Sequence, residues 1–194
     1  MAYQKQEKYA CTEELAVHFE QILQILGEDT SREGLLKTPA RASKAMQFLT
    51  QGYGQSATEI LQSALFKAEN HNMVLVKDIP FFSLCEHHLL PFFGTAHIAY
   101  FPNEYMVGLS KIPRTVDVFA RRLQVQEQLT TQIRDAIDSA LSAKGVAVAV
   151  QASHLCMQMR GVQKTGGQTL TMAFSGDFET SNEHRQAFLQ QIKF

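Results

Sequence analysis

Val146-Ala147-Val148-Ala149-Val150-Gln151-Ala152-Ser153-His154-Leu155-Cys156-Met157-Gln158-Met159-Arg160 is the stretch from which the fold is read. Its opening is rich in β-branched residues at alternate positions, which argues a strand. Carried to Arg160, the strand puts Val146, Val148, Val150, Ala152, His154, Cys156, Gln158 and Arg160 on one face. That face passes from apolar core, through an imidazole and a thiol, to a cation. At strand rise Arg160 would stand six residues, roughly 20 Å, beyond His154.

Just upstream, Leu129, Ile133, Ile137 and Leu141 mark a helix that Gly145 closes. Downstream, Thr169 to Phe178 reads as strand. A last helix follows, starting around Thr180–Glu183 with capping-box spacing and turning Phe188 and Ile192 inward. Met73 to Lys77 and Thr95 to Phe101 are further β-rich runs, with a turn at Pro102-Asn103. The first third of the chain reads differently. Residues 1–10 are a polar arm. From Thr12, Leu15, Phe19, Ile22 and Leu26 recur at helical spacing up to Gly27. A polar connection from Glu28 to Lys37 carries a possible capping box, Thr30 to Glu33. Thr38-Pro39 then reads as an N-cap with proline at the first helical position, and Ala42, Ala45, Met46 and Leu49 form that helix's inner face. A short helix is expected near Thr58 to Ala64. Helices first, then strand pairs around one long helix, make an α+β protein with an antiparallel sheet. The expected division is a helical region over 1–70 and a sheet-bearing region over 71–194, working as one unit.

The 194 residues are 45% apolar and 19% charged, below the roughly 25% charged of an ordinary soluble domain. Such a chain buries a core and is not disordered. A net charge of −1 argues against a nucleic-acid binder held by bulk positive charge. No apolar run approaches a membrane span, and MAYQKQEKYA lacks the apolar stretch of a signal peptide. The expectation is a cytoplasmic protein, with no membrane or nucleic-acid partner, whose cysteines stay reduced. Of Cys11, Cys85 and Cys156, only the last two have histidines within three residues. Cys11 reads as an incidental thiol.

Cys85-Glu86-His87-His88 and His154-Leu155-Cys156 carry the sharpest chemistry. Zinc takes thiolate and imidazole, and catalytic sites hold it by three protein ligands with one position left open. Cys85 and His88 can reach one ion from a single tight turn, and Cys156 can close the set, leaving His87 and His154 beside the metal. A lone cysteine is most often a small buried hydrophobe. Two Cys/His clusters in a chain with three cysteines argue against coincidence. A structural Cys₂His₂ site with His154 as fourth ligand stays open, and spacing alone leaves the reaction open too. Gly108-Leu109-Ser110-Lys111-Ile112-Pro113-Arg114 supplies a hydroxyl and two cations ahead of a helix expected to start at Pro113, a setting that suits anions. Arg41 and Lys44 share a helix face. Gln126-Glu127 precedes the long helix. No P-loop or G-x-G-x-x-G is present.

Phe82-Ser83-Leu84-Cys85-Glu86-His87-His88, Gly108-Leu109-Ser110-Lys111, Arg122-Leu123-Gln124-Val125-Gln126-Glu127 and His154-Leu155-Cys156-Met157-Gln158-Met159-Arg160-Gly161 together resemble the zinc-dependent GTP cyclohydrolase I family. The likeness runs from about Thr12 to Lys193 and includes Thr38-Pro39-Ala40-Arg41. It implies a T-fold (tunnelling fold), with strands of several subunits closing a barrel in a homodecamer and sites between subunits. It implies opening of the guanine imidazole ring of GTP, release of formate and rearrangement to 7,8-dihydroneopterin triphosphate, feeding folate or tetrahydrobiopterin synthesis. By position, Cys85, His88 and Cys156 would bind Zn²⁺, and His87 and His154 would transfer protons. Gln126 and Glu127 would grip guanine. Ser110, Lys111, Arg114 and Arg160 would hold the triphosphate, with Lys44, and more distantly Arg41, in the same role. Two positions depart from the family's pattern: Met172 after Thr171, where serine is usual, and Gln128 after Glu127, where arginine is expected. Other readings are a non-catalytic zinc-storing or sensing protein on this scaffold, and a T-fold relative acting on another purine or pterin. A deazaguanine nitrile reductase of that kind would use a nucleophilic cysteine and NADPH without zinc, which the paired histidines beside Cys85 speak against.

Overall fold

In the computed structural model, residues 12–192 are described; the arm over 1–10 and Cys11 lie outside them. The order is α1 (Thr12–Ile25), α2 (Thr38–Leu49), a 3₁₀ turn (Gln51–Gly54), α3 (Ala57–Gln62), β1 (Leu65–Lys67), β2 (Val74–Cys85), β3 (Pro91–Phe101) and β4 (Tyr105–Val107). Then come α4 (Lys111–Ala120), β5 (Leu123–Gln124), α5 (Gln126–Leu141), β6 (Gly145–His154), α6 (Leu155–Gln158), β7 (Thr169–Gly176), α7 (Asp177–Thr180) and α8 (Asn182–Gln191). Five strands form one sheet in the order β5-β2-β3-β6-β7, antiparallel except for the short β2–β5 contact, and β1 pairs with β4 separately. The α+β class with an antiparallel sheet is as expected.

Alternation along β6 builds two layers. Val146, Val148 and Val150 join Phe92, Ile98 and Tyr100 in a core capped by Leu129, Ile133 and Ile137 of α5 and by Ile112 and Val116 of α4. Ala147 and Ala149 face the other way with Ala99, under Phe178 and under Phe188 of α8. This second cover is partial. Beyond it Phe82 and Phe93 stack on one another at 5.9 Å yet stay 52% and 37% exposed, with Leu170 and Met172 exposed beside them.

Several expectations need correcting. β2 is far longer than Met73–Lys77 because its pattern is broken by a bulge: the register shifts between Val76 and Ile79, with Asp78 at φ 58°. Pro80 is tolerated there because β5 reaches only Leu84 and Cys85, so β2 is an edge at that point. Ser142 in the left-handed region ends α5, and Gly145 instead begins β6. A Cβ on Gly145 would come within 2.7 Å of the Asp177 amide and 2.9 Å of the Ser175 carbonyl. Helix α4 starts at Lys111, two residues before Pro113. Thr38 lies inside α2 rather than capping it, Ser181 and not Thr180 caps α8, and no helix starts at Thr30. On α1, Leu15 and Phe19 are half-buried, but Ile22 and Leu26 are exposed because α2 supports only part of that helix. Ala45 on α2 is exposed and Ser43 is buried instead, donating to the Thr12 carbonyl at 2.7 Å.

The largest correction concerns the stretch read first. Strand β6 ends at His154, and Leu155 to Gln158 turn as one helical turn. Cys156 and Arg160 are therefore not on the strand. The turn folds Arg160 back, so that its Nη1 donates to Nε2 of His88 at 2.9 Å.

Candidate active site

The tight loop between β2 and β3 carries Cys85-Glu86-His87-His88. The Leu89 amide donates to the Cys85 carbonyl at 2.8 Å and the Cys85 amide to the Leu90 carbonyl at 2.9 Å. Leu89 takes φ 55° to close it. The Glu86 amide donates to the Gln124 carbonyl at 3.0 Å, tying the loop to the segment that leads into α5. His154 pairs with Phe92 across the β3–β6 register, and their rings stack at 4.8 Å, 2° from parallel.

These elements meet in a cleft of about 300 Å³ whose wall includes Cys85, His87, His88, Glu127, His154 and Cys156. The ligand atoms of Cys85, His88 and Cys156 all lie within 4.8 Å of one another. Nδ1 of His88 is the nitrogen turned toward Cys85, 3.9 Å from Sγ. Two thiols and one imidazole converging in this way fit a Zn²⁺ ion better than a hard cation, and they leave a coordination position for a small molecule. Burial pushes the Cys156 thiol up, and the neighbouring Cys85 sulfur adds to it. A cation between the two sulfurs would reverse that penalty. Nδ1 of His87 lies 3.9 Å from the Cys85 sulfur, and its ring stands edge-on to His88. His87 and His154 thus flank the cluster, and neither is among the three converging donors.

Burial holds the pKa of His154 below the ordinary imidazole value, while the Glu127 carboxylate opposes it. Gln126, first in α5 and buried, puts its Oε1 2.7 Å from Nε2 of His154. Its Nε2 lies 2.9 Å from the Val150 carbonyl, 3.0 Å from that of Thr169 and 3.1 Å from the Thr171 hydroxyl. The amide has no hydrogen to spare. Gln126 is thus committed to partners within the fold, and Glu127 lines the same cleft beside it. Phe92, Thr130 and Thr171 are functional neighbours that spacing did not single out. Thr171 was visible only as the partner of the Met172 departure.

The expected phosphate residues are not gathered here. Ser110 precedes α4, Lys111 opens it and Arg114 is exposed along it; Lys44 and Arg41 are exposed on α2. None of these lines the cleft, whereas Arg160 reaches its edge through His88. Met172 faces away from the cleft, paired with Ala149 on the partly covered side of the sheet. Gln128 lines a neighbouring shallow groove with Glu127, Thr131 and Gln132.

The model of the GTP cyclohydrolase I family matches residues 15–193. The GTP cyclohydrolase 1 of Porphyromonas gingivalis is 56% identical over 186 residues, covering 96% of each chain. That of Parabacteroides distasonis is 54% identical over 194 residues, covering 100% of this chain and 98% of its own. That of Campylobacter jejuni is 58% identical over 171 residues, covering 88% and 90%.

Proposed function

The chain belongs to the GTP cyclohydrolase I family, and on that premise we propose how its residues open the guanine imidazole ring of GTP, release formate and rearrange the ribose to give 7,8-dihydroneopterin triphosphate. The observation that carries the reading is the convergence of Cys85, His88 and Cys156 with His87 and His154 on either side. C8 of guanine is a poor electrophile and water a poor nucleophile. Cys85, His88 and Cys156 would hold Zn²⁺, which would supply the Lewis acidity that lowers the pKa of water toward about 7. Ring opening and ribose rearrangement need several proton transfers. Imidazoles serve as acid and base near neutral pH, and His87 and His154 stand where such transfers are needed. The Glu127 carboxylate accepts from N1–H and the 2-amino group of guanine, a pair of donors that adenine lacks on that edge. Gln126 stands beside it in the cleft wall.

Arg160, Ser110, Lys111 and Arg114 hold the triphosphate, with Lys44 as a further cation. A cleft of about 300 Å³ is at the small end for a nucleotide, and the α4 cations stand outside it. Both features support a site completed by a neighbouring subunit in a homo-oligomer, taken as a decamer of T-fold subunits. The exposed Phe82, Phe93, Leu170 and Met172 supply an apolar sheet face for such assembly. In this reading residues 71–194 are the catalytic unit and 1–70 the helical region attached to it. No described helix is long and apolar enough to cross a membrane. The reading carries a cytoplasmic enzyme whose product feeds folate or tetrahydrobiopterin synthesis.

The test is formate release by purified, zinc-loaded protein offered GTP or ATP. Formate from GTP alone is expected. Formate from both would remove Glu127 as the guanine reader. Formate from neither, in folded protein carrying zinc, would leave a zinc-binding or sensing protein on the same scaffold.

A further inference from the structure

We propose that Gln126 is a positioning residue that fixes the ring orientation and tautomer of His154, with hydrogen on Nε2 and the lone pair on Nδ1. The inference rests on the reading of His154 as a proton-transfer residue. The backbone carbonyls of Val150 and Thr169 can only accept hydrogen bonds. The amide atom 2.9 and 3.0 Å from them is therefore the nitrogen of Gln126, which settles the orientation of the side chain by chemistry.

Two hydroxyls reinforce it. The Thr130 hydroxyl donates to the backbone carbonyl of Gln126 at 2.8 Å. Its hydrogen being used there, it accepts from the Thr171 hydroxyl at 2.6 Å. Thr171 then has only a lone pair to offer the Gln126 nitrogen, 3.1 Å away. The two amide hydrogens are thus shared among three acceptors, and the pair of hydroxyls links the amide nitrogen back to the Gln126 backbone. Oε1 is left pointing at Nε2 of His154, 2.7 Å away. A carbonyl oxygen needs a donor, so Nε2 carries hydrogen and the neutral ring keeps its lone pair on Nδ1. The stack on Phe92 holds the ring plane. A flip of the ring would place Cε1 where Nε2 stands and break the bond.

With Nε2 bonded to Gln126, Nδ1 is the ring nitrogen left to exchange a proton with a ligand, and Gln126 itself exchanges none.

The test is a two-bond ¹H–¹⁵N correlation spectrum of zinc-loaded protein with ¹⁵N-labelled histidine, at a mildly alkaline pH where imidazoles are neutral. The His154 signals are identified by their loss in His154→Asn. The expected pattern is a protonated Nε2 and an unprotonated Nδ1. The reverse pattern overturns the proposal, and this needs no variant of Gln126 and no turnover, so it stands or falls apart from the GTP reading. Gln126→Leu and Gln126→Met are then expected to shift His154 toward mixed tautomers. In both, kcat should fall on the order of 10²-fold with KM for GTP nearly unchanged. A raised KM with kcat retained would place Gln126 on the substrate instead and overturn its positioning role.

Discussion

At the scale of single residues, the proposed function separates side chains that hold from side chains that transfer. Cys156 is half-buried on a single helical turn, and its removal touches little of the core. Cys156→Ser is therefore expected to fold and to lose zinc. Its metal affinity should drop by more than the roughly 10–100-fold that an outer-shell partner costs; atomic absorption after dialysis measures it, and retained stoichiometric zinc would contradict the ligand set. His87 behaves differently. It is exposed, borders the cluster and is not one of the three converging donors. His87→Ala should keep its zinc while kcat for formate release falls by about 10²–10⁴. An unchanged kcat in that variant would remove His87 from the proton pathway.

At the scale of elements, the long helix and the apolar part of the strand behind it, Val146 to Ala152, are where sequence and structure agree best, because each has a clean period. Ile133 and Ile137 on α5 and Val146, Val148 and Val150 on β6 are all fully buried against one another's layer. Ile137→Ala is expected to lower unfolding stability by about 2–5 kcal/mol, read from the denaturant midpoint. A loss well under 1 kcal/mol would mean that the α5–sheet layer is not the main core. Periodicity failed where structure is short or interrupted. The bulge at Asp78 hid most of β2, and three-residue β1 and β4 are too brief to have a period. Leu155-Cys156-Met157-Gln158 reads equally well as strand or as one helical turn. The convergence of Cys85, His88 and Cys156 was legible regardless, since it depends on residue types in two clusters rather than on the conformation between them. The position of Arg160 was not, because it follows from that turn. Nor was the engagement of Gln126, which joins α5 to carbonyls of β6 and β7 that lie far away in the chain.

At the scale of the whole molecule, pH reports on buried histidines outside the metal cluster. His97 is 1% exposed at the β2 bulge, where its Nδ1 accepts from the Asp78 amide. Burial is the main cause that holds its pKa below the ordinary value; the Asp78 carboxylate opposes this and Lys77 adds to it. The unfolded chain then takes up a proton at higher pH than the fold does. Stability contributed by neutral His97 is full above the unfolded value near 6.5 and falls as pH drops from there toward the lower folded value. Denaturation midpoints of the wild type should thus fall from pH 7 to pH 5, less steeply in His97→Asn; an identical slope in the variant would assign the effect to other groups. The proposed assembly belongs to the same scale, since the α4 cations and the cluster are separated within one chain. The central claim is that one metal, bound by Cys85, His88 and Cys156, enables opening of the guanine ring, and the most direct measurement is a zinc titration of chelator-stripped protein with formate release from GTP followed at each point. Turnover is expected to be absent at first, to rise in proportion to zinc bound and to level off at about one zinc per chain, as for a single three-ligand catalytic site. Full turnover in the stripped protein, or zinc taken up to that level with no formate formed, would contradict the account.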